Sequence, residues 1–148
     1  KLMLDISGAI VSTAPMEADF LTVNPYLGAD ALEPFFHHCR EYDKGVFVLA
    51  LTSNPGAMDI QNRVSDDITL AEQIADLIAA EAQATQGSHG FSAIGGVVGA
   101  THPDHAAGLR KRLPHSPILV PGFGAQGGTA DSGRAWACRH RLTADRSG

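Results

Sequence analysis

Four short segments of this sequence gather hydroxyl, amide, proline and glycine residues in the way that loops around a polar ligand do. They are Thr22 to Gly28, Thr52 to Gly56, Gly99 to Pro103 and Pro121 to Gly128. Within them stand Asn24, Ser53, Asn54 and Thr101, each able to offer a side-chain donor or acceptor. The last segment is the most distinctive: Gly122, Gly124, Gly127 and Gly128 surround Gln126. Glycines let backbone amides approach an anion closely, and Gln126 adds a side-chain donor, so this loop is expected to hold a phosphate. The plain alternative is that the glycines only make a tight turn, because a lone glycine cluster is a weak motif.

Each segment follows a short, continuously apolar run: Phe20 to Val23, Val46 to Leu51, Ile94 to Val98 and Ile118 to Val120. Unbroken rather than alternating hydrophobicity marks strands buried on both faces, as in a parallel sheet covered by helices. Parallel strands need crossover connections, and the intervening segments carry helical signatures. Leu32, Phe35, Phe36 and Cys39 share one helix face, with Asp30 placed to cap and Glu33 three residues on. Leu70, Ile74, Leu77 and Ile78 repeat the spacing behind a capping box at Thr69 to Glu72. A third helix opens at Pro103, carries Ala106, Ala107 and Leu109, and stops before Pro114.

The order is α/β and predicts a parallel sheet with right-handed crossovers. Either a barrel or an open doubly wound sheet fits. In both, ligands bind at the C-terminal ends of the strands, where the four polar segments lie. A complete (β/α)8 barrel takes about 250 residues, so four strands in 148 residues is the density of half a barrel. Residues 1–148 read as one partial barrel domain, with 129–148 an irregular, polar tail in which Arg134, Arg139 and Arg141 read as solvated charges.

Bulk properties remove several classes of function. The net charge is −5, with acidic and basic residues scattered rather than clustered in a basic stripe, which argues against nucleic acid as a partner. The two cysteines, Cys39 and Cys138, have no metal-type spacing, and nothing resembles a secretory leader, so a cytoplasmic protein with reduced thiols is expected. No apolar run approaches the roughly 20 residues of a membrane span. Of the seven histidines, His37 and His38 are adjacent on a helix, and His102 and His105 straddle a helix start without cysteine or acidic companions at a ligating spacing. They read as surface or capping residues, and Asp59, Asp66 and Asp67 as acidic residues ahead of a helix N-terminus. No metal is expected.

Taken together, Leu21 to Gly28, Val46 to Pro55, Gly96 to Thr101 and Ile118 to Gly128 resemble orotidine 5'-phosphate decarboxylase, in the bacterial branch that includes the mycobacterial and actinobacterial enzymes. The resemblance covers roughly Asp19 to Gly128, in order and spacing. It implies a (β/α)8 barrel that converts orotidine 5'-phosphate to UMP and carbon dioxide in pyrimidine biosynthesis, without cofactor or metal. It also implies a Lys flanked by aspartates that protonates the carbon left when carbon dioxide departs. Preorganised charge in a closed site suits a developing carbanion, and binding energy from the remote phosphate can close loops over the ring. By the same resemblance Ser53 contacts the pyrimidine, and Gln126, with Gly124 and Gly127, closes over the phosphate. Asn24, Asn54 and Thr101 are further substrate-binding candidates at the strand exits, where loop capping is the alternative reading.

The family signature Asp-x-Lys-x-x-Asp-Ile does not occur in this sequence. Lys1 and Asp5-Ile6 keep its Lys and its closing Asp-Ile with one residue too many between them; in the other register, Leu4-Asp5 matches its start and the Lys and second Asp are lost. Lys1 and Asp5 are the catalytic candidates on the first register; there the resemblance implies that the final Asp reaches the neighbouring subunit's site, and hence a homodimer. Solvated terminal charges are the alternative reading of Lys1 and Asp5. The alternative function is a non-catalytic nucleotide- or phosphosugar-binding barrel fragment.

Overall fold

The structure, a computed structural model, describes residues 18–122. Lys1, Asp5, Gly124, Gln126, Gly127 and the tail 129–148 lie outside the described residues. Four parallel strands form the main sheet: β1 (Phe20–Val23), β2 (Gly45–Leu51), β5 (Ile94–Val98) and β6 (Ile118–Leu119), in that spatial order. The crossovers carry α1 (Ala29–Tyr42), α3 (Leu70–Ala82) and α4 (Pro103–Arg112). Between β2 and α3 lie the short helix α2 (Ala57–Gln61) and a hairpin of β3 (Val64–Ser65) and β4 (Ile68–Thr69).

Strand order follows chain order without reversal, so there is no switch point of the kind a doubly wound sheet has. Right-handed crossovers then put the helices on one face, as in a barrel wall. The packing agrees. Leu21, Val23, Val46, Val48, Ile94, Val98 and Ile118 join one core with Leu32, Phe35 and Phe36 of α1, Ala71, Ala75 and Ile78 of α3, and Leu109 of α4. Val23 pairs with Val48, Val48 with Gly96 and Gly96 with Ile118, a row that runs across the sheet under the helices. The alternate row, Thr22, Phe47 and Gly95, faces away. On that side the rings of Phe20 and Phe47 lie 5.0 Å apart, and Phe20 and Leu119 are 46% and 44% exposed. That face carries no helix among the described residues.

Local chemistry sets the element ends. Thr69 accepts from the Glu72 amide at 3.2 Å while the Glu72 carboxylate takes the Thr69 amide at 2.8 Å, the reciprocal box expected. The first helix differs from expectation. It begins at Ala29 behind Gly28 (φ 96°), and Asp30 sits inside the first turn without a capping bond, where its charge still suits the positive end of the helix dipole. Glu33 pairs with Arg40 instead, and Arg40 also reaches Glu81 of α3. The fourth strand is one residue shorter than its apolar run, ending at Leu119. In α4, Leu109 is buried but Ala107 is exposed. Asp66 and Asp67 are the two turn residues of the β3–β4 hairpin, both left-handed (φ 53° and 65°), a conformation that Asp tolerates better than most residues. Cys39 is buried in the core, and burial pushes its thiol up to about 11.

The capping box makes a pH-dependent contribution. Bonds from the Thr69 amide and hydroxyl hold the Glu72 carboxyl below its ordinary value of 4.5, with Arg112 adding to the effect. A lowered folded-state pKa stabilises the native state above the ordinary value, and that contribution is lost as pH falls through the lowered one. Thr69→Ala is expected to cost about 0.5–2 kcal/mol at neutral pH and to flatten the fall in stability below pH 4.5. Urea unfolding of both proteins between neutral and acid pH measures this.

Candidate active site

Thr52 follows β2 directly, and all of its polar groups are engaged. Its amide donates to Gln61 Oε1 at 2.7 Å, and its hydroxyl receives Gln61 Nε2 at 2.9 Å and lies 2.6 Å from Asn54 Oδ1. Its carbonyl accepts from His102 Nε2 at 3.1 Å. The five-residue helix α2 exists at the place that brings Gln61 back onto the strand exit. Thr52, Gln61 and His102 organise the loop, and none was singled out from sequence as a site residue.

The β5 exit runs alongside. The Gly99 amide donates to the Leu51 carbonyl at 2.7 Å, and the Thr101 hydroxyl to the Ser53 carbonyl at 3.1 Å. The approach is so close that a Cβ at Gly99 would lie 2.8 Å from both the amide nitrogen and the Cα of Ser53. Real Cβ atoms essentially never come that near backbone, so glycine is required here by space.

The structure sorts the expected binding residues into two groups. Ser53 and Thr101 are in direct contact at the β2–β5 seam. Asn24 and Asn54 instead line a cavity of about 530 Å3 between the β1 exit, the β2 exit, α2 and α3, together with Thr52, Gln61, Ile60 and Ile74. Asn24 Oδ1 accepts from the Tyr26 amide at 3.0 Å and caps the single 3-10 turn Pro25–Leu27. Its side chain therefore does the loop-capping work weighed above. His102 departs from the surface-or-capping expectation: it is half-buried, it stands at the N-cap position of α4, and its ring makes no capping bond. No group of three or more metal-ligating side chains is brought together among the described residues.

All three described exits offer hydrogen bonds and no charge: residues 22–28, 52–56 and 99–103 contain no Lys, Arg, Asp or Glu. This arrangement can orient a neutral, multiply hydrogen-bonding group such as a pyrimidine ring. It cannot by itself stabilise a carbanion.

Comparison with known proteins fits this geometry. The family model described as orotidine 5'-phosphate decarboxylase / HUMPS family matches residues 5–135. Among curated proteins, the orotidine 5'-phosphate decarboxylase of Rhodopirellula baltica is 47% identical over 122 residues, covering 82% of this chain and 40% of its own length. That of Clostridium perfringens is 41% identical over 134 residues, covering 83% and 47%. Among solved structures, the Leishmania donovani OMP decarboxylase superposes with a TM-score of 0.65 at 36% identity, covering 82% of this chain and 45% of that one. The chain thus spans under half the length of these relatives. Its four-stranded parallel sheet is about half of their (β/α)8 barrel.

Gly99→Ala tests the close approach. It is expected to lower stability by about 1–3 kcal/mol through overpacking and to shift the backbone at Ser53. Thermal unfolding and the amide resonances of Ser53 and Asn54 read the two effects separately.

Proposed function

The chain belongs to the orotidine 5'-phosphate decarboxylase / HUMPS family, and from that premise we propose that it is part of a carboxy-lyase converting orotidine 5'-phosphate to UMP and carbon dioxide. The observation that carries this reading is Ser53, which stands at a strand exit where family resemblance expects a pyrimidine contact and where both neighbouring carbonyls are held from β5. A serine hydroxyl donates and accepts, so it can meet either a carbonyl or a ring N–H of the base.

In this proposal the pyrimidine lies over Ser53, and the phosphate lies against the Gly124–Gln126–Gly127 loop. Asn24 and Asn54, which line the cavity beside the β2 exit, are further candidate contacts, and Thr101 acts through the Ser53 backbone. Lys1 and Asp5 are the candidates for proton donor and companion carboxylate. The electron pair released from the departing carboxylate would remain on the ring carbon until the Lys ammonium delivers a proton to it. The chemistry calls for no cofactor and no metal. We propose a homodimer, because family resemblance has the Asp that Asp5 would match reach a neighbouring subunit's site. A cytoplasmic location fits the two cysteines, of which Cys39 is buried and free, and a nucleotide substrate. No helix among the described residues is long and apolar enough to cross a membrane.

A second reading, a nucleotide-binding barrel fragment without catalysis, rests on the absence of the Asp-x-Lys-x-x-Asp-Ile string. One experiment separates the two. Calorimetric titration of the 148-residue chain with UMP is expected to show binding that Gln126→Ala weakens by about 10-fold or more, the scale of a hydrogen bond to a charged group. Release of carbon dioxide from orotidine 5'-phosphate by the same sample then supports the decarboxylase; binding without turnover supports the fragment. A folded chain that does not bind UMP at all would sink the site assignment.

A further inference from the structure

The residue before the first turn of a helix ordinarily supplies an acceptor to that turn's free amides, which is why Ser, Thr, Asp and Asn are preferred there. His102 holds this position before α4 and makes no such bond. Its ring reaches sideways to the β2 exit, with Nε2 3.1 Å from the Thr52 carbonyl oxygen. A carbonyl only accepts, so Nε2 carries the proton. A residue that forgoes the local preference in order to make a contact 50 positions away in sequence marks a place where position outweighs helix stability.

That contact completes a series. The carbonyls of Leu51, Thr52 and Ser53 are each held from the β5 exit: by the Gly99 amide, the His102 ring and the Thr101 hydroxyl respectively. The Thr52 carbonyl lies in the peptide plane before Ser53, and the Ser53 carbonyl in the plane after it. Peptide units are rigid, so fixing both planes fixes φ and ψ at Ser53, and with them the direction in which its side chain leaves the backbone. Thr101 holds one plane and His102 the other.

We propose that His102 is a positioning residue that aims the Ser53 hydroxyl at the ligand by holding the Thr52 carbonyl. The proposal rests on the reading of Ser53 as a ligand contact, and it assigns His102 no contact with the substrate. Asn and Gln separate this role from a merely structural one. An Asn side chain is one bond too short to replace Nε2, yet it is among the best N-cap residues. Gln carries an amide N–H the same number of bonds from Cα as Nε2.

The experiment compares the 148-residue chain with His102→Asn and His102→Gln by melting temperature, the amide resonances of Ser53 and Asn54, and UMP titration. His102→Asn is expected to keep or raise the melting temperature, to shift both resonances, and to weaken UMP binding about 3- to 10-fold, the scale of one hydrogen bond. His102→Gln is expected to recover part of both changes. An Asn variant that binds UMP as tightly as the parent overturns the proposal, as do unmoved resonances in that variant. A parent chain that fails to bind UMP while the resonances still respond to His102→Asn overturns the reading of Ser53 as a ligand contact, and with it any role for His102 in binding.

Discussion

The β2 and β5 exits meet because Gly99 has no side chain. With a Cβ there, the backbone of Ser53 would have to move, and the bonds that follow would lose their geometry: Gly99 to Leu51, His102 to Thr52, Thr101 to Ser53. The sheet ladder proper has paired Leu51 with Val98 by this point, after an irregularity between Leu49 and Leu51. Beyond it the exits are joined through one amide, one ring and one hydroxyl, as an extension of the ladder made partly from side chains. Loops built in this way keep a strand's precision beyond the end of the ladder.

Such precision at one end of the sheet depends on solid packing beneath it. On the helix side, Val46, Val48, Ile94 and Ile78 are fully buried, and α3 presents Ala71 and Ala75 to the sheet, so the helix lies close. Ion pairs join the helices across the outside: Arg40 with Glu81 between α1 and α3, and Arg112 with Asp76 and Glu72 between α4 and α3. Exposed pairs of this kind contribute little to stability, and the apolar contacts under the helices hold the strands in place. The opposite face is a different surface. Phe20, Thr22 and Leu119 stand open there, and in a barrel this is the side turned inward.

Much of this fold was legible in the sequence, because its signals are strong and local. Unbroken β-branched runs gave all four strands to within a residue or so, and the 3.6-residue spacing of Leu70, Ile74, Leu77 and Ile78 gave α3 together with its cap. What escaped was short or non-local. Five residues of α2 are too few to show a period, and the hairpin around Asp66 and Asp67 has two-residue strands with no alternation to detect. From sequence, Asp66 and Asp67 read as charges ahead of a helix N-terminus rather than as a turn. The candidate site divides in the same way. Ser53, Asn24, Asn54 and Thr101 were identified by residue type, position after a strand, and family resemblance. Gln61 and His102 reach the site across 9 and 50 residues of sequence respectively, and no local pattern encodes such contacts.

The described exits also separate two demands of the proposed decarboxylation. Orientation of a pyrimidine needs directed donors and acceptors on a stiff frame, and Ser53, with the carbonyls on either side of it held from the β5 exit, is a neutral hydroxyl on such a frame. Departure of carbon dioxide leaves negative charge on carbon, and only a fixed cation with a transferable proton answers it; neutral hydroxyls and amides at residues 22–28, 52–56 and 99–103 do not. Charge stabilisation therefore calls for groups other than those at these three exits. The chain spans 40% of one relative and 47% of another, and its three described exits offer neutral donors and acceptors. Binding and turnover are then separable questions, because the three described exits carry hydrogen-bonding groups without charge.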